Sequence, residues 1–201
     1  MHGLIICAFE SFVRNTYGEG HWAGLVERLD AGLEHFEPMF HYDDGLAAQL
    51  LADTAVRLDK PAEALLEDFG IFLATHPASE RVRRLLRFGG VDYEGFLASL
   101  EDLSGRVRLA VPDLLLPDIV LEERGPGDYL LRCDDAPPEF APVLTGLLQA
   151  MADDYGALVV IEQERRLTQG GAGMGDARLA IRLLEADFTE GRGFALAQRA
   201  G

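Results

Sequence analysis

Cationic side chains are in short supply in this chain. Its 201 residues hold 18 Lys and Arg against 34 Asp and Glu, a formal net charge of -16. A field of that sign repels phosphate backbones and anionic lipid, which removes nucleic acid and membrane surfaces from the expected partners. A basic protein partner stays open. Cysteine is nearly absent as well. Cys7 and Cys133 form no CxxC metal or redox spacing, and two scattered cysteines read as reduced thiols, so the expected location is the cytoplasm. Long apolar runs are missing. The run from Leu4 to Ala8 is too short for a secretory signal and is followed by Glu10 and Arg14. Nothing approaches the ~20 apolar residues of a membrane span. Several catalytic signatures are also missing: GxGxxG after a strand, GxxxxGKS/T, HExxH and GxSxG.

What is present is a hydrophobic fraction of 48%, enough for a packed core and too much for global disorder. The first half has helical periodicity. Leu4, Ile5, Ala8, Phe9, Phe12 and Val13 predict a helix over 3–13, and further helices are expected over 22–33 and 46–58. Asp59 is the expected N-cap of a helix that admits Pro61 in its first turn and ends at His76 and Pro77. A short basic amphipathic stretch over 81–88 and a helix over 92–103 follow. After Gly105 the chain changes character, with Pro112, Pro117, Gly125, Pro126 and Gly127 punctuating short extended runs. Strands are expected over 118–123, 128–133, 158–163 and 177–187, with a helix over 140–153 between them. The fold class is therefore α+β: a helical part over about 1–104, a mixed helix and antiparallel-sheet part over about 105–188, and a tail over 189–201.

Chemistry-bearing residues are scattered. His35 and His41 are separated by Pro38 and cannot share one helical face, and His2, His21 and His76 lie elsewhere, so no metal site is expected. The carboxylate pairs Asp43 with Asp44, Glu122 with Glu123, and Asp134 with Asp135 are expected in turns and read as solvated. The glycine-rich run over 169–175 holds no basic residue and reads as a loop, not a phosphate cradle. Taken alone, the residues describe an acidic, non-enzymatic α+β domain.

The order of small motifs resembles the haem nitric oxide/oxygen binding (H-NOX) family, the haem sensor domains of bacterial gas-sensing proteins and of soluble guanylate cyclase. Met1, His2, Gly3, Leu4 and Ile5, then Phe12 with Val13, Tyr17 with Gly18, and Trp22, resemble the family's opening. Tyr42, Asp43 and Asp44 match its turn before a helix, and Leu65 through Gly70 its segment ending in phenylalanine-glycine. Phe96 to Leu103 resembles the helix that carries the iron ligand. Pro112 and Pro117 match the segment after it, and Phe140 to Tyr155 and Leu158 to Glu162 match the helix and strand beyond. The resemblance covers residues 1–188.

That resemblance implies a site and shows where this chain departs from it. The iron-ligating histidine of the family falls at Ser104, and a serine hydroxyl is a poor neutral ligand for ferrous haem. The Tyr-x-Ser-x-Arg motif that holds the haem propionates keeps Tyr129, but Leu131 and Cys133 stand at its serine and arginine positions. Strand alternation turns Arg132 to the opposite face. Pro117 falls where the family packs a proline on the haem ring, and Ile5, Phe9, Phe72, Leu73 and Leu144 are the expected apolar lining. The implied function is a non-enzymatic sensor domain with haem ligation lost or altered, responding to an apolar ligand or through a thiol. Alternatives are a haem gas sensor using Cys133 or a histidine as substitute ligand, and an enzyme of unknown type. By resemblance the partner is a histidine kinase or a cyclic-dinucleotide enzyme, reached through a shift of the N-terminal helices; a homodimer is compatible with the sequence.

Overall fold

A computed structural model describes residues 1–29, 36–87, 89–164 and 175–191. Among them, eight α-helices and four strands follow one another as α1 Gly3–Tyr17, α2 Glu19–Leu29, α3 Asp44–Leu58, α4 Ala62–Thr75, α5 Glu80–Arg87, α6 Tyr93–Ser99, α7 Leu103–Ala110, β1 Ile119–Gly125, β2 Asp128–Ala136, α8 Phe140–Tyr155, β3 Leu158–Gln163 and β4 Gly175–Glu185. The expected α+β class is what the molecule has. The predicted far end of the second helix, Phe88, His35, most of the glycine-rich loop and most of the tail lie outside the described residues.

Local chemistry sets most boundaries. His2 is the N-cap of α1: its Nδ1 accepts the Leu4 N–H at 3.1 Å. Gly18, at φ +95°, ends α1 in a conformation that side-chain-bearing residues avoid. Asp43 and Asp92 cap α3 and α6 by accepting the N–H groups of Gly45 and Gly95. Asp59 does not play its expected part. It sits at φ +50° as the C-cap of α3, its N–H bonded to carbonyls of Ala55 and Val56, and α4 starts from Pro61 without a side-chain cap. The predicted helix over 92–103 is divided by one 3-10 turn at Leu100–Asp102. It then continues as α7 through Gly105 to Ala110, so the helical part extends past residue 104. A helical glycine costs about 1 kcal/mol against alanine, too little to end a helix whose Leu103 and Val107 are buried.

The sheet is antiparallel throughout, in the order β1-β2-β4-β3. Leu131 faces Leu121 on one side and Leu179 on the other, and Tyr129 faces Ile181. A tight turn at Pro126 and Gly127, the latter at φ +71°, joins β1 to β2. β4 stops at Glu185, short of the predicted end at 187.

The core has two parts. One gathers Ile6, Phe9, Phe12, Trp22, Phe69 and Phe72 between α1, α2 and α4. The other gathers α6, α7, α8 and the inner face of the sheet. The two meet where α4 crosses α8. A Cβ on Gly70 would collide with the Val143 carbonyl oxygen, and one on Gly146 with that of Glu67, so the two backbones approach as only glycines allow. Asp154, 3% exposed near the end of α8, accepts Arg83 through both carboxylate oxygens at 2.9 to 3.1 Å, and Arg87 lies 3.4 Å away. This ties α5 to α8 and places cations at a helix C-terminus, where the macrodipole favours them.

Candidate functional site

β2 presents Tyr129, Leu131 and Cys133 on its inner face because side chains alternate along a strand. All three are buried: Tyr129 is 8% exposed, Cys133 1% and Leu131 not at all. Arg132 points the other way, as alternation requires, and pairs with Glu122 at 2.9 Å. The Tyr129 hydroxyl donates to Glu94 Oε1 at 2.6 Å, across to the first turn of α6. That hydrogen bond, followed by burial and the charges of Glu94, Glu123 and Asp92, pushes the phenol up to about 12. Burial pushes the Cys133 thiol up to about 12, with Asp134 adding to the effect. Its thiol is therefore held neutral and out of reach of solvent.

Ser104 stands in the first turn of α7, half-buried, beside the buried Leu103. Its Oγ donates to Asp118 Oδ1 at 2.7 Å. Pro117, next in the chain to that acceptor, is half-buried. The adjoining 3-10 turn is fastened to β1 by Glu101, which accepts the Leu121 N–H at 3.0 Å.

The expected apolar lining is divided. Phe9 and Phe72 belong to the N-terminal cluster, with half-buried Leu73 packed against it, and Ile5 is half-buried on α1. Leu144 belongs to the other cluster, with Tyr129, Leu131 and Cys133. Phe9 is in ring contact with Phe12 and Phe69, at 5.8 and 5.5 Å, and Phe72 stacks on His76 at 4.4 Å. Two depressions lie elsewhere. One of about 340 Å3 is lined by Leu51, Leu66, Pro138, Glu139 and Pro142 among others, and one of about 150 Å3 by Ile71, Thr75, Gln149, Ala150 and Asp153. None of the expected site residues lines either.

Sequence reasoning missed Glu94 and Asp118, the partners of Tyr129 and Ser104. Each is a lone carboxylate far from its partner in the chain, and no spacing rule marks it. Among the described residues no group of three or more His, Cys, Asp and Glu is arranged to hold a metal ion. His2 and His41 do meet across an isolated antiparallel β-bridge, with ring centroids 5.0 Å apart, but His2 uses Nδ1 to cap α1. No described helix is long and apolar enough to cross a membrane.

Comparison with known proteins gives a consistent picture. The family model described as Haem-NO-binding matches residues 2–163. Soluble guanylate cyclase gcy-35 of Caenorhabditis elegans is 27% identical over 171 residues, covering 83% of this chain; the chain spans about a quarter of that relative's length, 25%. An H-NOX protein from S. oneidensis, solved in the Fe(II)NO ligation state, superposes with a TM-score of 0.73 at 21% identity, covering 92% of this chain and 100% of that one. An H-NOX protein from K. algicida, solved as Fe(II) unliganded, gives 0.76 at 20% identity, covering 94% of this chain and 100% of that one.

Proposed function

The chain belongs to the Haem-NO-binding family, and from that premise we propose that it is a non-catalytic sensor domain whose input is not iron-bound haem. One observation carries the reading: the groups at the haem-holding positions are committed to other partners or apolar. Ser104 is bonded to Asp118, Tyr129 to Glu94, and Leu131 and Cys133 are packed in the core. These residues do not fit the group. A neutral hydroxyl tied to a carboxylate offers iron little, and a leucine and a neutral thiol offer propionates no charge-assisted hydrogen bond. Leu144 sits in one cluster and Phe9 in the other, with α4 and α8 in close contact between them.

The raised Cys133 thiol argues against both a thiol sensor and a thiolate iron ligand at that position, which leaves an apolar small molecule as the favoured input. The matched relative is a cyclase of which this chain corresponds to a part. We place the chain as a cytoplasmic module that passes a shift of α1 and α2 to a signalling enzyme, such as a histidine kinase or a cyclic-dinucleotide enzyme. The test is an absorption spectrum of the purified protein before and after haemin and dithionite. The expected result is haem that washes off and leaves no Soret band. A retained, sharp Soret band with distinct ferrous and NO-bound forms overturns the reading.

A further inference from the structure

Tyr129 is the one residue of the propionate-holding motif that this chain keeps, and its hydroxyl is already used. A phenol has a single proton to donate. Here that proton goes to the Glu94 carboxylate at 2.6 Å, a short charge-assisted bond of about twice the strength of a neutral one. Glu123 and Asp92 add negative charge around the same hydroxyl. The nearest cation on β2, Arg132, faces the other side of the sheet and is paired with Glu122. A ligand carboxylate seeking the phenol must break the existing bond and then sit beside an anion with no intervening cation. At contact distance that repulsion remains of the order of kilocalories even at an effective dielectric of about 20. A neutral ligand meets no such penalty.

We propose that Glu94 is a selectivity residue, holding the Tyr129 hydroxyl and so excluding carboxylate-bearing ligands from the junction of α6 and β2. The proposal rests on the reading of the chain as a sensor freed from haem, and it names the side chain that enforces that freedom against anionic ligands. Glu94 belongs to no haem-holding motif. It lies on the exposed side of the first turn of α6.

The test compares Ser104→His with Ser104→His/Glu94→Gln in the full chain. Both positions lie outside the buried core, and circular dichroism verifies that both variants fold. Each is titrated with ferrous haem and, separately, with the dimethyl ester of haem, whose propionates are uncharged. Removing the charge is expected to tighten binding of the diacid at least about tenfold while the ester changes by less than about twofold, a factor of ten being 1.4 kcal/mol. An unchanged diacid affinity, an equal gain for the ester, or no haem retained by either variant overturns the assignment. The unsubstituted chain is measured in parallel. A defined Soret band there defeats the haem-free reading, whereas the diacid-to-ester ratio judges Glu94 by itself.

Discussion

The two halves of the core hold together in different ways. Among the described residues buried in the N-terminal cluster, Phe9, Phe12, Trp22, Phe36, Phe69 and Phe72 make up more than half, and Phe12 by itself touches the rings of Phe9, Tyr17, Phe69 and Phe72. Among the described residues buried in the C-terminal cluster, Tyr93, Phe96 and Tyr129 are the aromatic ones, with Phe140 and Tyr155 packed against the cluster, and small or aliphatic residues make up the rest. That second region is pinned by directional bonds: Tyr93 to the Leu148 carbonyl, Tyr129 to Glu94, and Arg83 and Arg87 to Asp154. Ring packing tolerates a change of ligand at its edge, because dispersion has little direction. Hydrogen-bonded partners do not, because each donor satisfied inside the protein is a donor lost to a ligand. Ser104, Tyr129, Leu131 and Cys133, the positions that the resemblance assigns to haem, fall in or beside the second kind of region.

The largest tests strike each region at its centre. Phe12→Ala is expected to cost about 3–5 kcal/mol through lost transfer energy and a residual cavity. Asp154→Ala is expected to cost about 2–3 kcal/mol because it removes the buried carboxylate that accepts half-buried Arg83 and Arg87. Urea denaturation measures both. A milder pair, Phe12→Leu and Ile181→Val, sharpens the contrast. Their effects should add to within about 0.5 kcal/mol, as separated sites do, and a coupling well above that shows the halves to be one core. Gly146→Ala strikes the crossing itself, and the overpacking of α8 on α4 is expected to cost about 1–3 kcal/mol. Replacing the cap of α1, His2→Ala, should cost about 1 kcal/mol, with faster amide exchange confined to the first turn.

Titration gives the smallest effects. Cys133 should resist a thiol reagent at pH 8 in the folded protein and react once it is unfolded, since burial holds its thiol near 12. Tyr129, raised from 10.0 to about 12, keeps its proton in the folded state over a range where the unfolded chain has released it. Its contribution to stability is complete below pH 10 and falls away as pH rises toward about 12. The ultraviolet titration of Tyr129 should move down in Glu94→Gln, and an unmoved titration removes Glu94 as the dominant cause.

Much of the architecture was legible along the chain because it is written in local terms. Apolar spacing predicted α1, α3, α4, α8 and β3, Asp43 and the Pro77 break marked ends, and the switch to short Pro- and Gly-punctuated strands gave the α+β order. Ser104, Leu131 and Cys133, which the resemblance sets at haem-holding positions, were likewise visible as letters. Asp59 misled because an aspartate before Pro61 fits an N-cap and a left-handed C-cap alike, and only the path of α3 decides between them. Gly105 misled because burial of Leu103 and Val107 outweighs one glycine's helix penalty.

By itself, the sequence determined which chemical groups the chain can offer: an excess of carboxylates, apolar side chains in both halves, and serine, leucine and cysteine at 104, 131 and 133. Tertiary structure alone decided what those groups do. Tyr129 meets Glu94, 35 residues earlier in the chain, and Ser104 meets Asp118; Phe9 and Leu144 pack in separate clusters, and Gly70 and Gly146 bring α4 and α8 together. Periodicity and capping depend on residues a few positions apart, whereas the partner a buried hydroxyl takes is fixed by how whole helices and strands lie on one another.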